Sequence, residues 1–241
     1  MENFSNPGLL PAGLSDLLPP DAGFEASVTE RLIDACHARG YERVKPPLME
    51  FEDSLLSGTG AAMDRQVFRL MDPVSQRMMG LRADITPQIA RIAASRLKSA
   101  PRPLRLCYAG QVLRVRGDQI RPERQFAQIG AELIGSAAPA ADAEIIAMAA
   151  DAVGYIGVTG VSIDLALPSL VSAILGDRAE APVIRPLREA LDHKDTGALD
   201  DLAKQLGDDL TNTLKRLVLA AGPADDTLAA VDAIDLPPAA A

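Results

Sequence analysis

Tryptophan is absent from these 241 residues, and aromatic side chains make up only 3% of them. Packing therefore falls to Ala, Leu, Ile and Val. The chain is 48% hydrophobic, enough for one sizeable core and a small second domain. Cysteine is scarce. Cys36 and Cys107 stand far apart and outside any CxxC pair, which excludes a disulfide framework and reads as two buried small hydrophobes. His37 and His193 are isolated, so no metal and no His/Cys cage is expected. No run approaches the ~20 apolar residues of a membrane span. The opening MENFSNPGLL lacks a basic segment followed by an apolar stretch, so a soluble, cytoplasmic chain with no membrane partner is expected. Positive charge is in deficit, at −9 net. Nucleic-acid binders use Lys and Arg to displace phosphate counterions, so nucleic acid is not the expected main partner. No GxxxxGK[ST] occurs, and Gly58 and Gly60 follow no strand pattern, so no nucleotide fingerprint is present.

Asn6–Pro20 reads as an extended lead-in. Asp21 is placed to cap a helix carrying Phe24, Val28, Leu32 and Ala35 on one stripe, with Gly40 as its stop. Tyr41–Lys45, Val67–Leu70 and Arg77–Leu81 read as strands, the last two joined by an Asp72-Pro73 turn. Asp84–Leu97 reads as a helix capped by Thr86, with Pro87 at its first position. Ile89, Ile92 and Ala93 face inward on it, and Arg91 and Lys98 are expected to be solvated. Leu104–Arg116 and Arg124–Gly135 are the most strand-like segments, separated by the polar loop Gly117–Glu123. Ala141–Ile156 reads as an amphipathic helix with Ile145, Ala149, Val153 and Ile156 on its stripe, Val161–Ala166 as a strand, and Pro168 as a helix start. Beyond Gly176 the pattern turns helical, over Pro186–His193, Ala198–Leu206 and Asp209–Ala221, before an LPPAAA tail. Hairpin strands with helices before and after them imply an α+β fold on an antiparallel sheet. A core is expected over residues 1–176, and a helical segment with a tail over 177–241.

Arg124–Gly135 reads RQFAQIGAELIG. Strand side chains alternate between faces. Ala127, Ile129, Ala131 and Leu133 thus form an apolar set, and Phe126, Gln128, Gly130, Glu132 and Ile134 point the other way. Gln128 and Glu132 are about 13 Å apart along the strand, with Gly130 between them. That spacing leaves room for a small polar molecule over the glycine. In a hairpin, Tyr108, Gly110, Val112 and Arg114 join the same surface, where a guanidinium can fork a carboxylate or phosphate. Two readings stay open at this level. One is a solvated outer face, common in antiparallel sheets. The other is a ligand platform, since a strand glycine often marks close ligand approach.

The segment from Arg114 to Arg124-Gln125-Phe126 resembles motif 2 of the class II aminoacyl-tRNA synthetases, and the strand resembles the RQFHQxGxE of the histidyl group. Gly40–Pro47, GYERVKPP, resembles the dimer-forming motif 1. Leu81–Thr86, LRADIT, is similar to the amino-acid-binding LRPEGT. The likeness runs from about Leu9 to Leu175. It implies a class II synthetase-like sheet flanked by helices, and a self-dimer. It also implies a histidine site at Asp84, Ile85, Thr86, Arg114, Gln128 and Glu132. In the family, the matching acidic, hydroxyl and amide groups meet the α-amino group, the matching glutamate meets the imidazole, and the arginine meets a carboxylate or α-phosphate.

Departures from the family pattern point away from catalysis. Where the family has an adenine-holding glutamate two positions after the arginine, Arg116 stands, and a guanidinium offers no acceptor. Neither motif 3 nor an RGLDYYT-like segment is found, so no catalytic residue and no cofactor is expected. LRADITPQIARI resembles the non-catalytic regulatory subunits of ATP phosphoribosyltransferase, synthetase paralogues of histidine biosynthesis. These are longer, so a truncated form or a fragment with an incomplete sheet is expected. That likeness implies assembly with the catalytic phosphoribosyltransferase subunit, activation of it, L-histidine as feedback effector, and no tRNA partner. The alternatives are a truncated or divergent histidyl-tRNA synthetase and a free-standing amino-acid-binding module.

Overall fold

The computed structural model describes residues 8–118, 120–165, 168–176 and 181–236. The chain divides into two compact units, Met1–Ile163 and Asp164–Ala241, a break earlier than the 176/177 boundary expected from the sequence.

The first unit opens with α1 (Asp21–His37). Asp21 lies in its first turn, where a carboxylate favours the positive helix end, but Pro20 holds the cap position and no side chain caps it. Ile33 and Cys36 form the buried stripe and Phe24 is 70% exposed. The true stripe is therefore rotated from the Phe24–Val28–Leu32–Ala35 line read from spacing. It is set by Tyr41, just past the Gly40 turn, and by Cys107 and Met148 from distant segments. Gly40 turns the chain at φ +80, a left-handed conformation that glycine adopts without steric cost.

There follow β1 (Glu42–Arg43), β2 (Met49–Phe51), α2 (Glu52–Leu55), a 3-10 helix over Gly58–Gln66, β3 (Phe68–Met71), β4 (Met78–Leu81), α3 (Thr86–Ala94), β5 (Leu104–Leu113), β6 (Gln125–Ile134) and α4 (Pro139–Tyr155). They make two small sheets, β1-β5-β6 and β2-β4-β3. The longer pairs are antiparallel as expected, and the short β1 adds one parallel pairing to β5. β5 and β6 form the long antiparallel hairpin foreseen in the sequence, in register from Leu104↔Ile134 to Leu113↔Gln125.

That hairpin organises the core. On one face Leu106, Tyr108 and Val112 pack against Ile85, Ile89 and Ala93 of the α3 region. On the other, Cys107, Ala109, Ile129 and Ala131 pack against Ile33, Cys36 and Met148. Both cysteines are buried and free. Met148 is the buried residue of α4, while Ala149, expected on its stripe, is exposed.

The second unit is helical: α5 (Pro168–Leu175), α6 (Ala181–Asp192), α7 (Thr196–Asp201), α8 (Ala203–Leu206), α9 (Asp208–Leu219) and α10 (Ala224–Asp232). Ile174, Leu187, Leu199 and Leu214 form its buried centre. Pro186 sits inside α6 and does not start it. Asp195 caps α7, its carboxylate accepting from Ala198 N at 3.0 Å. The strand expected at Val161–Ala166 is absent over residues 161–165, and Ala166 lies outside the described residues. Val161, Ile163 and Leu165 are 52%, 50% and 70% exposed, so their alternation meets no sheet among the described residues. α10 carries no buried residue and left no apolar stripe to read. In the LPPAAA tail, residues 237–241 lie outside the described residues.

Candidate functional site

A single glutamine side chain makes two of the bonds that fasten the segment between β4 and α3 to the hairpin. Gln128 Oε1 accepts from Ile85 N at 2.9 Å, and Gln128 Nε2 donates to Asp84 Oδ1 at 2.8 Å. The primary amide matches a backbone donor and a carboxylate acceptor at once. Asp84 Oδ1 also accepts from Thr86 N at 3.0 Å. Thr86, expected to cap α3, is instead its first residue; Ile85 holds the cap position with no side-chain cap.

Gly130 pairs with Tyr108 across the hairpin. A Cβ on Gly130 would lie 2.4 Å from the Tyr108 ring and hydroxyl. The room expected above the glycine therefore holds the phenol ring. The Tyr108 hydroxyl lies 2.9 Å from Thr86 Oγ1 and donates to Glu132 Oε1 at 3.2 Å. Burial pushes the Tyr108 phenol well above its ordinary range. Burial also raises the Glu132 carboxyl above the usual glutamate value, and the Asp84 charge adds to that, while hydrogen bonds from Thr86 and Tyr108 pull it back. Glu132 and Thr86 line a cavity of about 340 Å³ walled by Ala90, Ala93, Ala94 and Ile134, with Arg102 also on its lining. The open space lies along α3, beside Glu132, and not over Gly130.

Arg114 reaches the same segment from the end of β5. Its Nε donates to Ala83 O at 3.4 Å, and its guanidinium lies 5.0 Å from the Phe126 ring centre. Arg121 approaches that ring at 4.6 Å. Asp84, Ile85, Thr86, Arg114, Gln128 and Glu132 thus converge on one hydrogen-bonded neighbourhood. Arg116 is exposed, and its backbone N–H points to Gln66 Oε1 at 3.4 Å.

A second network supports this segment from behind and was not foreseen. Arg82, 6% exposed, donates from Nε to Gln111 O at 2.9 Å and from Nη1 to Pro46 O at 3.1 Å and to Gln88 Oε1 at 3.3 Å. Burial lowers its pKa, and the Glu50 charge opposes the shift. Gln88 Nε2 and Arg91 Nε both donate to Glu50, each at 2.9 Å. Arg91, expected in solvent, is thus paired with a nearly buried carboxylate. The one local signal was Arg82 itself, a charge inside an otherwise apolar stretch. Glu50 is too distant in sequence to be matched to it by pattern. Among the described residues no group of three His, Cys, Asp or Glu is placed to hold a metal ion, and no helix is long and apolar enough to cross a membrane.

A family model described as histidyl-tRNA synthetase matches residues 13–241. The chain belongs to that family. Within it, the chain is 57% identical to an ATP phosphoribosyltransferase regulatory subunit of Paramagnetospirillum magneticum, over 100% of this chain and 63% of that protein. It is 54% identical to a protein of the same description from Rhodospirillum centenum, over 95% of this chain and 58% of that one. The chain therefore spans about three-fifths of the length of these curated relatives. Among solved structures, it superposes on an ATP phosphoribosyltransferase regulatory subunit/histidyl-tRNA synthetase from Bacillus halodurans with a TM-score of 0.81. That match has 26% identity and covers 100% of this chain and 62% of the other. It also superposes on an apo histidyl-tRNA synthetase from S. aureus, with a TM-score of 0.52 and 25% identity, over 63% of this chain and 40% of that chain. The α+β, class II synthetase-like architecture read from the motifs is the fold of these neighbours.

Proposed function

We propose that this synthetase-family chain acts as a non-catalytic regulatory subunit of ATP phosphoribosyltransferase, in the first step of histidine biosynthesis in the cytoplasm. The observation that carries this is the 57% identity, along the whole chain, to a relative of that description. In this reading the chain dimerises, assembles with the catalytic phosphoribosyltransferase subunit and activates it. L-Histidine is the effector that reverses the activation. Histidine is held at Asp84, Ile85, Thr86, Arg114, Gln128 and Glu132. The carboxylates of Asp84 and Glu132 suit an ammonium and an imidazole N–H, and Arg114 suits a carboxylate. Arg116 supports the non-catalytic reading, since it places a donor where a synthetase needs an acceptor for adenine. Linkage requires reciprocity: if histidine lowers the partner's affinity for its substrates, those substrates lower the affinity for histidine by the same factor. Calorimetry with histidine, on the full-length protein alone and with the catalytic chain, tests the proposal. Binding in either state supports it, and no binding in both removes the effector site.

The family description and the Bacillus halodurans neighbour favour a second reading, an active histidyl-tRNA synthetase. Histidine-dependent ATP–pyrophosphate exchange above background establishes that reading and overturns the first.

A further inference from the structure

Glu132 is held by a short relay of hydroxyls. Tyr108, 3% exposed, lies on Gly130 and bridges Thr86 and Glu132. With the phenol proton given to Glu132 Oε1, the one Thr86 hydroxyl proton has the phenol oxygen and the Glu132 carboxylate as alternative acceptors. Such chains polarise one another, and a donor to an ionised carboxylate is worth about twice a neutral pair. Gly130 makes the arrangement possible, because any side chain there meets the ring. Thr86 and Glu132 are also the two polar groups on one side of the 340 Å³ cavity. The same phenol therefore touches two of the three polar side chains on that lining, the third being Arg102.

We infer that Tyr108 is a positioning residue for this site: its hydroxyl fixes Glu132 and Thr86 at the cavity, and so sets the affinity and pH response with which the site takes a ligand N–H. The ligand class is a small molecule with an ammonium or a ring N–H donor, and the inference deepens the histidine-site reading on which it rests. Every charged group near Glu132 enters this response. Asp84, from the β4–α3 segment, opposes its ionisation. Arg102, ahead of β5, lines the same cavity as a cation and favours an ionised Glu132; three of its five N–H donors go to the Ala93, Leu97 and Ala100 carbonyls. α3 brings only Thr86 and alanines to the cavity, and Gln128, four residues from Glu132 along β6, is uncharged. An ionised Glu132 accepts the ligand N–H, so affinity rises with pH through its titration. Losing the phenol donor moves that rise to higher pH.

The test uses Tyr108→Phe in the full-length protein, which keeps the ring over Gly130 and removes only the hydroxyl. Two readouts are taken. In the free protein, the Glu132 carboxyl is titrated by carbon-detected NMR, and the expected result is a midpoint at higher pH in the variant. With histidine as probe, calorimetry across pH is expected to show affinity about tenfold weaker, the scale of one hydrogen bond to a charged group. The pH profile should shift in the same direction as the carboxyl midpoint. Comparing variant with wild type at each pH cancels the ligand's own titration. An unchanged Glu132 midpoint overturns the inference. So does wild-type binding that Tyr108→Phe leaves unaltered in strength and profile, although the histidine-site reading then survives. If the wild type binds no histidine, that reading fails, and the carboxyl titration alone decides the role of Tyr108. Should Tyr108→Phe not fold, Thr86→Val removes the other end of the relay. It is expected to raise the midpoint too, and no shift there overturns the inference.

Discussion

Two glutamates meet the two faces of the β5–β6 hairpin, and their surroundings push them in opposite directions. Glu144, on α4, is clasped by Arg105, which donates from Nε and Nη2 to its two oxygens at 2.7 Å, and by the Tyr41 hydroxyl at 2.9 Å. The Arg105 guanidinium is the main cause that holds its carboxyl down at about 2. Glu132, on the α3 face, has no cation partner among the described residues; burial holds its carboxyl above the usual range. Each takes a phenol as donor, so the difference lies in the cation and in access to water. A bidentate ion pair at the surface favours the charge it holds. A half-buried carboxylate fed only by hydroxyls and facing a cavity is the type of group that can accept a further donor. One face of the hairpin is finished by its own residues, and in the proposed reading the other takes a ligand beside Glu132.

The largest effect that breaks this contrast is Gly130→Ala. The added methyl meets the Tyr108 ring at 2.4 Å and has no flexible tip to displace. Overpacking of this kind costs about 1–3 kcal/mol, and the expelled phenol leaves Glu132 without its donor. On the opposite face, Ala131→Gly removes a methyl from the Cys107–Met148 side and should cost only about 0.5–1 kcal/mol through backbone entropy. Urea unfolding of the two variants measures the difference, and an equal cost shows that Tyr108 moves freely aside. Next comes Gln128→Ala, which leaves Ile85 N–H and Asp84 Oδ1 without the amide that joins them. A cost of about 1–3 kcal/mol is expected for the stranded groups, together with loss of histidine binding by calorimetry.

The contrast was half legible in the sequence. Period-two alternation put Gln128, Gly130 and Glu132 on one face and Ala127, Ile129 and Ala131 on the other, and the ladder register keeps that division. LRADIT marked the partner segment through resemblance. The occupant of the space over Gly130 was not legible. Tyr108 sits there only because the register sets it opposite the glycine, and register depends on the whole hairpin. The Glu50–Gln88–Arg91 network and the rotation of the α1 stripe escaped for the same reason: their partners are distant in sequence. Val161, Ile163 and Leu165 show the converse. A clean alternation is only a strand pattern until another strand meets it.

Glu132→Gln sharpens the comparison with a smaller effect on stability. The amide keeps the shape and removes a charge that burial disfavours, so stability near neutral pH should change by less than about 1 kcal/mol. Histidine affinity should fall at least about tenfold, the scale of one charged hydrogen bond. Binding that survives in this variant removes Glu132 from the ligand contacts.

The variant most diagnostic across pH is Glu144→Gln, whose cost at neutral pH is the loss of the Arg105 clasp. A carboxyl held at about 2 in the folded chain gives up its proton more readily than in the unfolded chain. Its contribution to stability is present above the ordinary glutamate range and is lost as pH falls toward 2. Glu132 has the opposite sign. Its raised carboxyl favours the folded state at low pH, and that advantage fades as pH rises through its titration. Acid therefore weakens the Arg105 clasp and relieves the α3 face together. Thermal unfolding from pH 7 to pH 2 should show a shallower loss in Glu144→Gln than in wild type, because the variant has no clasp left to lose. Glu132→Gln should show a steeper relative loss, because it forgoes the gain from protonation. Parallel curves for the two variants would mean that the hairpin does not hold its two glutamates differently, and the distinction between a finished face and an unfinished one would go with it.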